Sequence, residues 1–136
     1  MPIDLDIGSL EKAIVSLQAA IARHDRTPGD DIVRDACIQR FEFTYELSHK
    51  MLKRFLESTS ANPEEVDRLS FQDLIRTGSE RGLLLSDWLR WKVYRTARST
   101  TNHTYDEAKA REVFSIVPEF LREAIHLRDR LRDELT

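Results

Sequence analysis

Three side chains of this 136-residue chain, Arg98, His103 and Tyr105, combine types suited to chemistry on an anion. They fall in Arg98-Ser99-Thr100-Thr101-Asn102-His103-Thr104-Tyr105-Asp106-Glu107, which sets a permanent cation, an imidazole and a phenol within eight positions. A guanidinium keeps its proton and pairs bidentately with phosphate oxygens. An imidazole with an ordinary pKa of about 6.5 takes up and releases a proton near neutrality. A phenol becomes a nucleophile once a base draws off its proton. The residues between Arg98 and His103 are polar, so the stretch is no core stripe. Plainer readings stand beside these: His103 caps the preceding helix, Arg98 pairs with an acid, and Tyr105 packs at a helix start.

The surroundings favour an anion. Arg90, Lys92, Arg95 and Arg98 follow one another from Leu89 to Arg98 with no acid among them, although the whole chain carries a net charge of −3. Arg95 lies three residues before Arg98 on the same helix face, where it either widens an anion site or is a solvated surface arginine. Trp88 and Trp91 could stack on a base, but tryptophans at helical spacing are more often core or interface. His24, His49 and His126 lie on three separate helical patterns without ligand spacing, so no metal site is expected. Neither a Gly-rich phosphate loop, nor a Ser-His-Asp arrangement, nor a Gly-Ser-x-Asp transferase signature occurs, and no cofactor is implied.

The positioning elements are helical. Four glycines and four prolines leave long 3.6-residue patterns uninterrupted. A first helix is predicted over Ser9–Arg26 with the stripe Leu10, Ile14, Leu17 and Ile21. A second runs over Asp30–Ser58, burying Val33, Cys37, Phe41, Leu47, Met51 and Phe55, with Phe43, Tyr45 and Leu52 widening that face. Asn62-Pro63-Glu64-Glu65 resembles a helix start that Leu69-Ser70 interrupts. Ser70 opens a short third helix closed by Gly82. Ser86 caps a fourth carrying Trp88, Leu89, Trp91 and Tyr94 and ending near Asn102. Thr104 and Glu107 read as a capping box for the fifth, which continues to about Glu134 and should kink near Phe114 because Pro118 lacks an amide hydrogen. The expected architecture is all-α: one domain over 1–136, an antiparallel four-helix-type bundle with one additional short helix.

Composition excludes several classes. Charged residues make up 33% and no apolar run is long enough to span a bilayer. Met1-Pro2-Ile3-Asp4-Leu5-Asp6 lacks the basic flank and apolar stretch of an export signal. The lone cysteine, Cys37, sits in an apolar helical pattern and reads as core. A cytoplasmic protein without membrane attachment is expected.

Arg98 to Tyr105 reads R-x-x-x-x-H-x-Y, and this resembles the signature of HEPN-domain proteins. The flanks sharpen the likeness: Arg40-Phe41-Glu42-Phe43-Thr44-Tyr45-Glu46-Leu47-Ser48, then Gly82-Leu83-Leu84 leading to Asp87 and Trp91, then His103-Thr104-Tyr105-Asp106-Glu107. Together they resemble the nucleotidyltransferase substrate-binding branch, small helical proteins encoded beside a minimal nucleotidyltransferase. Two positions depart from its pattern. Ser99 follows Arg98 where Asn is usual, with Asn102 further on, and His49 follows the Glu-Leu-Ser block where an aromatic residue is common.

The resemblance implies a helical homodimer assembled with a separate nucleotidyltransferase. Some relatives are metal-independent ribonuclease toxins, silenced when the transferase places AMP on the motif's tyrosine, here Tyr105. Others are substrate-binding subunits with no cleavage assigned. For RNA cleavage through a 2′-hydroxyl, His103 would shuttle the proton and Arg98 would stabilise the pentavalent phosphate. Two facing copies of the motif would supply a second imidazole. Ser99 breaks the Arg-Asn step, so pairing with a transferase and binding its nucleotide or substrate is the reading the resemblance supports first, ahead of the ribonuclease and of a plain dimerisation module.

Overall fold

The computed structural model describes residues 4–135. Residues 1–3, half of the stretch searched for an export signal, lie outside them. Among the described residues there are six α-helices, one 3-10 turn and no strand. They are α1 (Gly8–Arg26), α2 (Asp31–Thr59), α3 (Pro63–Asp67), α4 (Phe71–Glu80), α5 (Trp88–Thr100), the turn Thr101–His103, and α6 (Glu107–Leu135). The four long helices expected are α1, α2, α5 and α6. The short element is resolved into two, because Leu69 and Ser70 separate α3 from α4.

Helix ends follow side-chain capping. Asp30 accepts hydrogen bonds from the amides of Ile32 at 3.0 Å and Val33 at 3.3 Å, and Ser70 accepts one from Asp73 at 3.1 Å. Gly82 closes α4 with φ +74°, a left-handed conformation that glycine adopts without strain. Two expected caps are replaced. The α6 cap is Asp106, which accepts from the amides of Ala108 at 2.9 Å and Lys109 at 3.3 Å, while the Thr104 hydroxyl turns back to the Thr101 carbonyl. The residue before α5 is Asp87, which makes no side-chain cap, while Ser86 acts on the Glu123 carboxyl, holding down the rise of its pKa. α6 runs unbroken through Pro118.

α2 is the central helix, meeting every other α-helix of the bundle. Phe41 and Tyr45 of α2, Trp91 and Tyr94 of α5, and Phe120 of α6 form an aromatic centre. Phe120 meets Phe41 at 5.2 Å, Tyr94 at 5.1 Å and Trp91 at 5.7 Å between ring centroids, all edge to face. Such pairs add about 0.5–1.5 kcal/mol each beyond the area they bury. Cys37 is fully buried in the same core. Trp91 is a core residue, and half-buried Trp88 packs against Phe71 at 5.9 Å between ring centroids. Phe43, expected on the buried face of α2, is 51% exposed, and Leu89 of α5 is 76% exposed.

Glu123 is the exception within this core: a fully buried carboxylate. Its Oε2 accepts the Leu85 amide hydrogen at 2.6 Å. Burial pushes its pKa up, and the hydrogen bonds from Ser86 and Leu85 oppose that rise. His126 Nε2 lies 3.2 Å from the Gly82 carbonyl oxygen, so α6 grips both ends of the link that delivers α5.

Candidate functional site

Arg98 stands in the last turn of α5, over α2. Its Nε donates to Glu46 Oε1 at 2.8 Å, one terminal nitrogen lies 3.2 Å from Glu42 Oε1, and the other donates to Thr101 Oγ1 at 3.0 Å. Glu42 and Glu46 are one helical turn apart, so both carboxylates reach the same guanidinium. The acid partner of the plainer reading is therefore real, and doubled. Its effect is to hold the guanidinium in place while offsetting its charge.

A depression of about 330 Å³ opens beside this cluster. Arg95, Arg98, Ser99 and Asn102 line one side of it, and Tyr45, Glu46, His49 and Phe71 the other. Phe71 organises the far wall: the Arg95 guanidinium lies 5.1 Å from its centroid, and the His49 ring meets it edge-on at 4.9 Å. Burial lowers the His49 pKa; Glu46 pulls it back up, while Lys53 and Arg95 press it further down. Burial pushes Tyr45 up to about 12, so its phenol stays protonated.

His103 and Tyr105 lie outside that depression. Both are exposed, Tyr105 at 87%, and their rings meet edge to face at 6.1 Å. The motif thus divides in two: Arg95, Arg98 and Asn102 gather around a concavity, and His103 and Tyr105 stand together in solvent. Glu107 closes the stretch by binding Arg34 of α2 at 2.5 Å. That buried arginine also pairs with Asp35 at 3.0 Å, and its neighbourhood holds the Glu107 carboxyl below its usual range. Among the described residues no cluster of three or more His, Cys, Asp or Glu is placed to hold a metal ion.

The family model described as nucleotidyltransferase substrate binding protein like matches residues 5–133. The chain belongs to this family. Similar sequences include a Haemophilus influenzae protein named probable ribonuclease HepT, 37% identical over 94% of this chain and 92% of its own length. Among solved structures, a Haemophilus influenzae protein described as having the fold of a substrate binding domain of a nucleotidyltransferase superposes with a TM-score of 0.86. It is 34% identical over 93% of this chain and 99% of its own. A Thermus thermophilus protein superposes with a TM-score of 0.72 at 32% identity, over 90% of this chain and 98% of that one.

For this member of the nucleotidyltransferase substrate-binding family, several site residues escaped the sequence reading. Glu42, Glu46, His49 and Phe71 all belong to the depression or to its arginine. A signal existed for the first three: positions 42, 46 and 49 follow helical i, i+4, i+7 spacing along one face of α2. Glu42, Glu46 and His49 stand in or beside the block that carries the family resemblance, but that spacing alone does not display the arginines of α5 that they face.

Proposed function

We propose that the chain is a HEPN-type subunit that pairs with a separate minimal nucleotidyltransferase and holds that enzyme's nucleotide or substrate against the Arg95–Arg98–Asn102 wall. The observation that carries this reading is the concavity itself, with two guanidinium groups and an exposed amide on a chain of this family. Arginines on one helix face suit phosphate oxygens, and the aromatic floor of Tyr45 and Phe71 keeps the wall rigid. Pairing suits exposed apolar side chains outside the core, Leu85 at 56% in the link before α5 and Leu89 at 76% in its first turn. A homodimer bringing together two copies of the motif belongs to the same reading, and sedimentation of the purified chain tests it. Co-expression with a minimal transferase encoded beside this chain is expected to give a complex on size-exclusion chromatography, and Arg95→Ala in that complex to weaken ATP binding at least about tenfold. Separate elution of the two chains overturns the pairing.

A second reading has its own observation: His103 and Tyr105 stand exposed side by side, 6.1 Å apart between ring centroids. In a metal-independent ribonuclease the 2′-oxygen of RNA attacks the adjacent phosphorus. His103 takes the hydroxyl proton, the 5′-oxygen leaves with a proton from the second imidazole of a facing copy of the motif, and a 2′,3′-cyclic phosphate forms. The partner transferase would silence such an enzyme by placing AMP on Tyr105, where the added phosphate lies beside His103. The relative named probable ribonuclease HepT supports this second reading. Cleavage that stops with EDTA, or survives His103→Ala, overturns it.

A further inference from the structure

Two cations face the depression, and they are not equivalent. Arg98 is engaged by Glu46 at 2.8 Å and Glu42 at 3.2 Å, so its charge is largely compensated. Arg95 has no carboxylate partner among the described residues; its guanidinium lies over Phe71, a contact that orients it without neutralising it. The anion-attracting charge of the site therefore belongs to Arg95. The side chain that shares Phe71 with it is His49, half-buried, with its ring 4.9 Å from the same phenyl group.

From this geometry we infer that Arg95 and His49 form a phosphoryl-binding pair, with Arg98 serving as the brace that fixes the wall. The inference rests on the phosphate-binding reading of the depression and assigns its contacts. The ligand group is a phosphate ester, from a free nucleotide or from a nucleic-acid strand. Burial against Phe71 keeps the imidazole neutral near pH 7, where it offers one N–H. The charged groups around it are Glu46 and Lys53 on α2 and Arg95 and Arg98 on α5, with Lys53 tied to Asp67 at 2.8 Å; α4 presents the Phe71 ring. Below neutrality the ring gains a second N–H and a charge, and a bound phosphate stabilises that form. Anion affinity at this wall should thus rise as pH falls.

The test uses the full chain and a short oligothymidylate without terminal phosphates, whose diesters keep their charge from about pH 5 to pH 8. Affinity is expected to be about tenfold tighter at the acid end, the size of one added charge-assisted hydrogen bond. His49→Phe keeps a ring edge against Phe71 and should flatten the pH dependence while leaving the circular dichroism unchanged. Arg95→Gln should weaken binding at least about tenfold at both pH values. The His49 ring resonances should report a pKa that rises on binding, a signature that a packing role would not give. ATP titrated at one fixed pH, in parallel, separates the two sources: stronger competition by ATP assigns the wall to a nucleotide, weaker to a strand. Equal pH dependence in wild type and His49→Phe, or wild-type affinity in Arg95→Gln, overturns the pair assignment alone. Failure of both probes to bind the wild type overturns it together with the phosphate reading of the depression, while leaving the co-expression result on pairing to stand by itself.

Discussion

Arg98 Nε and Glu46 Oε1 lie 2.8 Å apart, joining the end of α5 to the middle of α2. With Glu42 beside it, the motif's arginine is an interhelical tie before it is an anion receptor. Glu46→Gln should therefore free positive charge at the wall and tighten oligothymidylate binding, most visibly at low salt where screening is weak. The thermal midpoint should move little, because Glu46 is exposed and such pairs stabilise weakly. Unchanged affinity in a salt titration would contradict the compensation argument.

The aromatic centre makes a sharper stability prediction. Phe120 is fully buried and meets Phe41, Trp91 and Tyr94 edge-on. Phe120→Ala should cost about 3–5 kcal/mol in urea denaturation, the range for emptying a packed aromatic site. Loss of Trp91 fluorescence change on unfolding would accompany it if the centre loosens.

Two titratable groups, buried Glu123 and half-buried His49, give stability opposite slopes with pH. Glu123 has a raised folded pKa, so its contribution is complete below the ordinary carboxyl range and is lost as pH rises through the folded value. His49 has a lowered folded pKa, so stability is complete above about 6.5 and falls as pH drops toward the folded value. Denaturation followed upward from about pH 4 should show stability falling from the ordinary carboxyl range toward the raised folded value of Glu123, a limb that Glu123→Gln flattens. It should also show an acid limb that His49→Phe flattens.

Tyr105 tests the two functional readings against each other. At 87% exposure it contributes little packing, so Tyr105→Phe should leave the thermal midpoint unchanged. With the partner transferase, ATP and Mg²⁺, intact-mass analysis is expected to show one AMP on the wild type and none on Tyr105→Phe if the ribonuclease reading holds. No adduct, with a transferase active on another substrate, leaves the binding subunit.

The helices were legible because periodicity reports burial: Leu10, Ile14 and Leu17 of α1, and Val113, Val117, Phe120, Leu127 and Leu131 of α6, all lie in the core. Phe43 misled because aromatic character outweighed angle. Two residues from both Phe41 and Tyr45 is about 200° around a helix, which turns it outward. The Thr104–Glu107 box failed for a tertiary reason, since Glu107 is drawn to an arginine 73 positions upstream that no local pattern displays. The exposed His103–Tyr105 pair was visible as a motif. The wall opposite Arg95 was not, because α2 and α4 build it from residues whose proximity only the fold creates.

α2 carries a signed address along its length. Its first turns present a cation, Arg34, to Glu107 at the start of α6, and its middle presents the anions Glu42 and Glu46 to Arg98 at the end of α5. Were α2 docked in the reverse direction, Glu42 and Glu46 would stay near mid-helix, but Arg34 would move to the far end and lose Glu107. The apolar stripe alone discriminates such arrangements weakly, since one greasy face resembles another. The charge order on α2 thus penalises mispaired topologies during folding, and the segment between Arg98 and Glu107 inherits a single orientation from it.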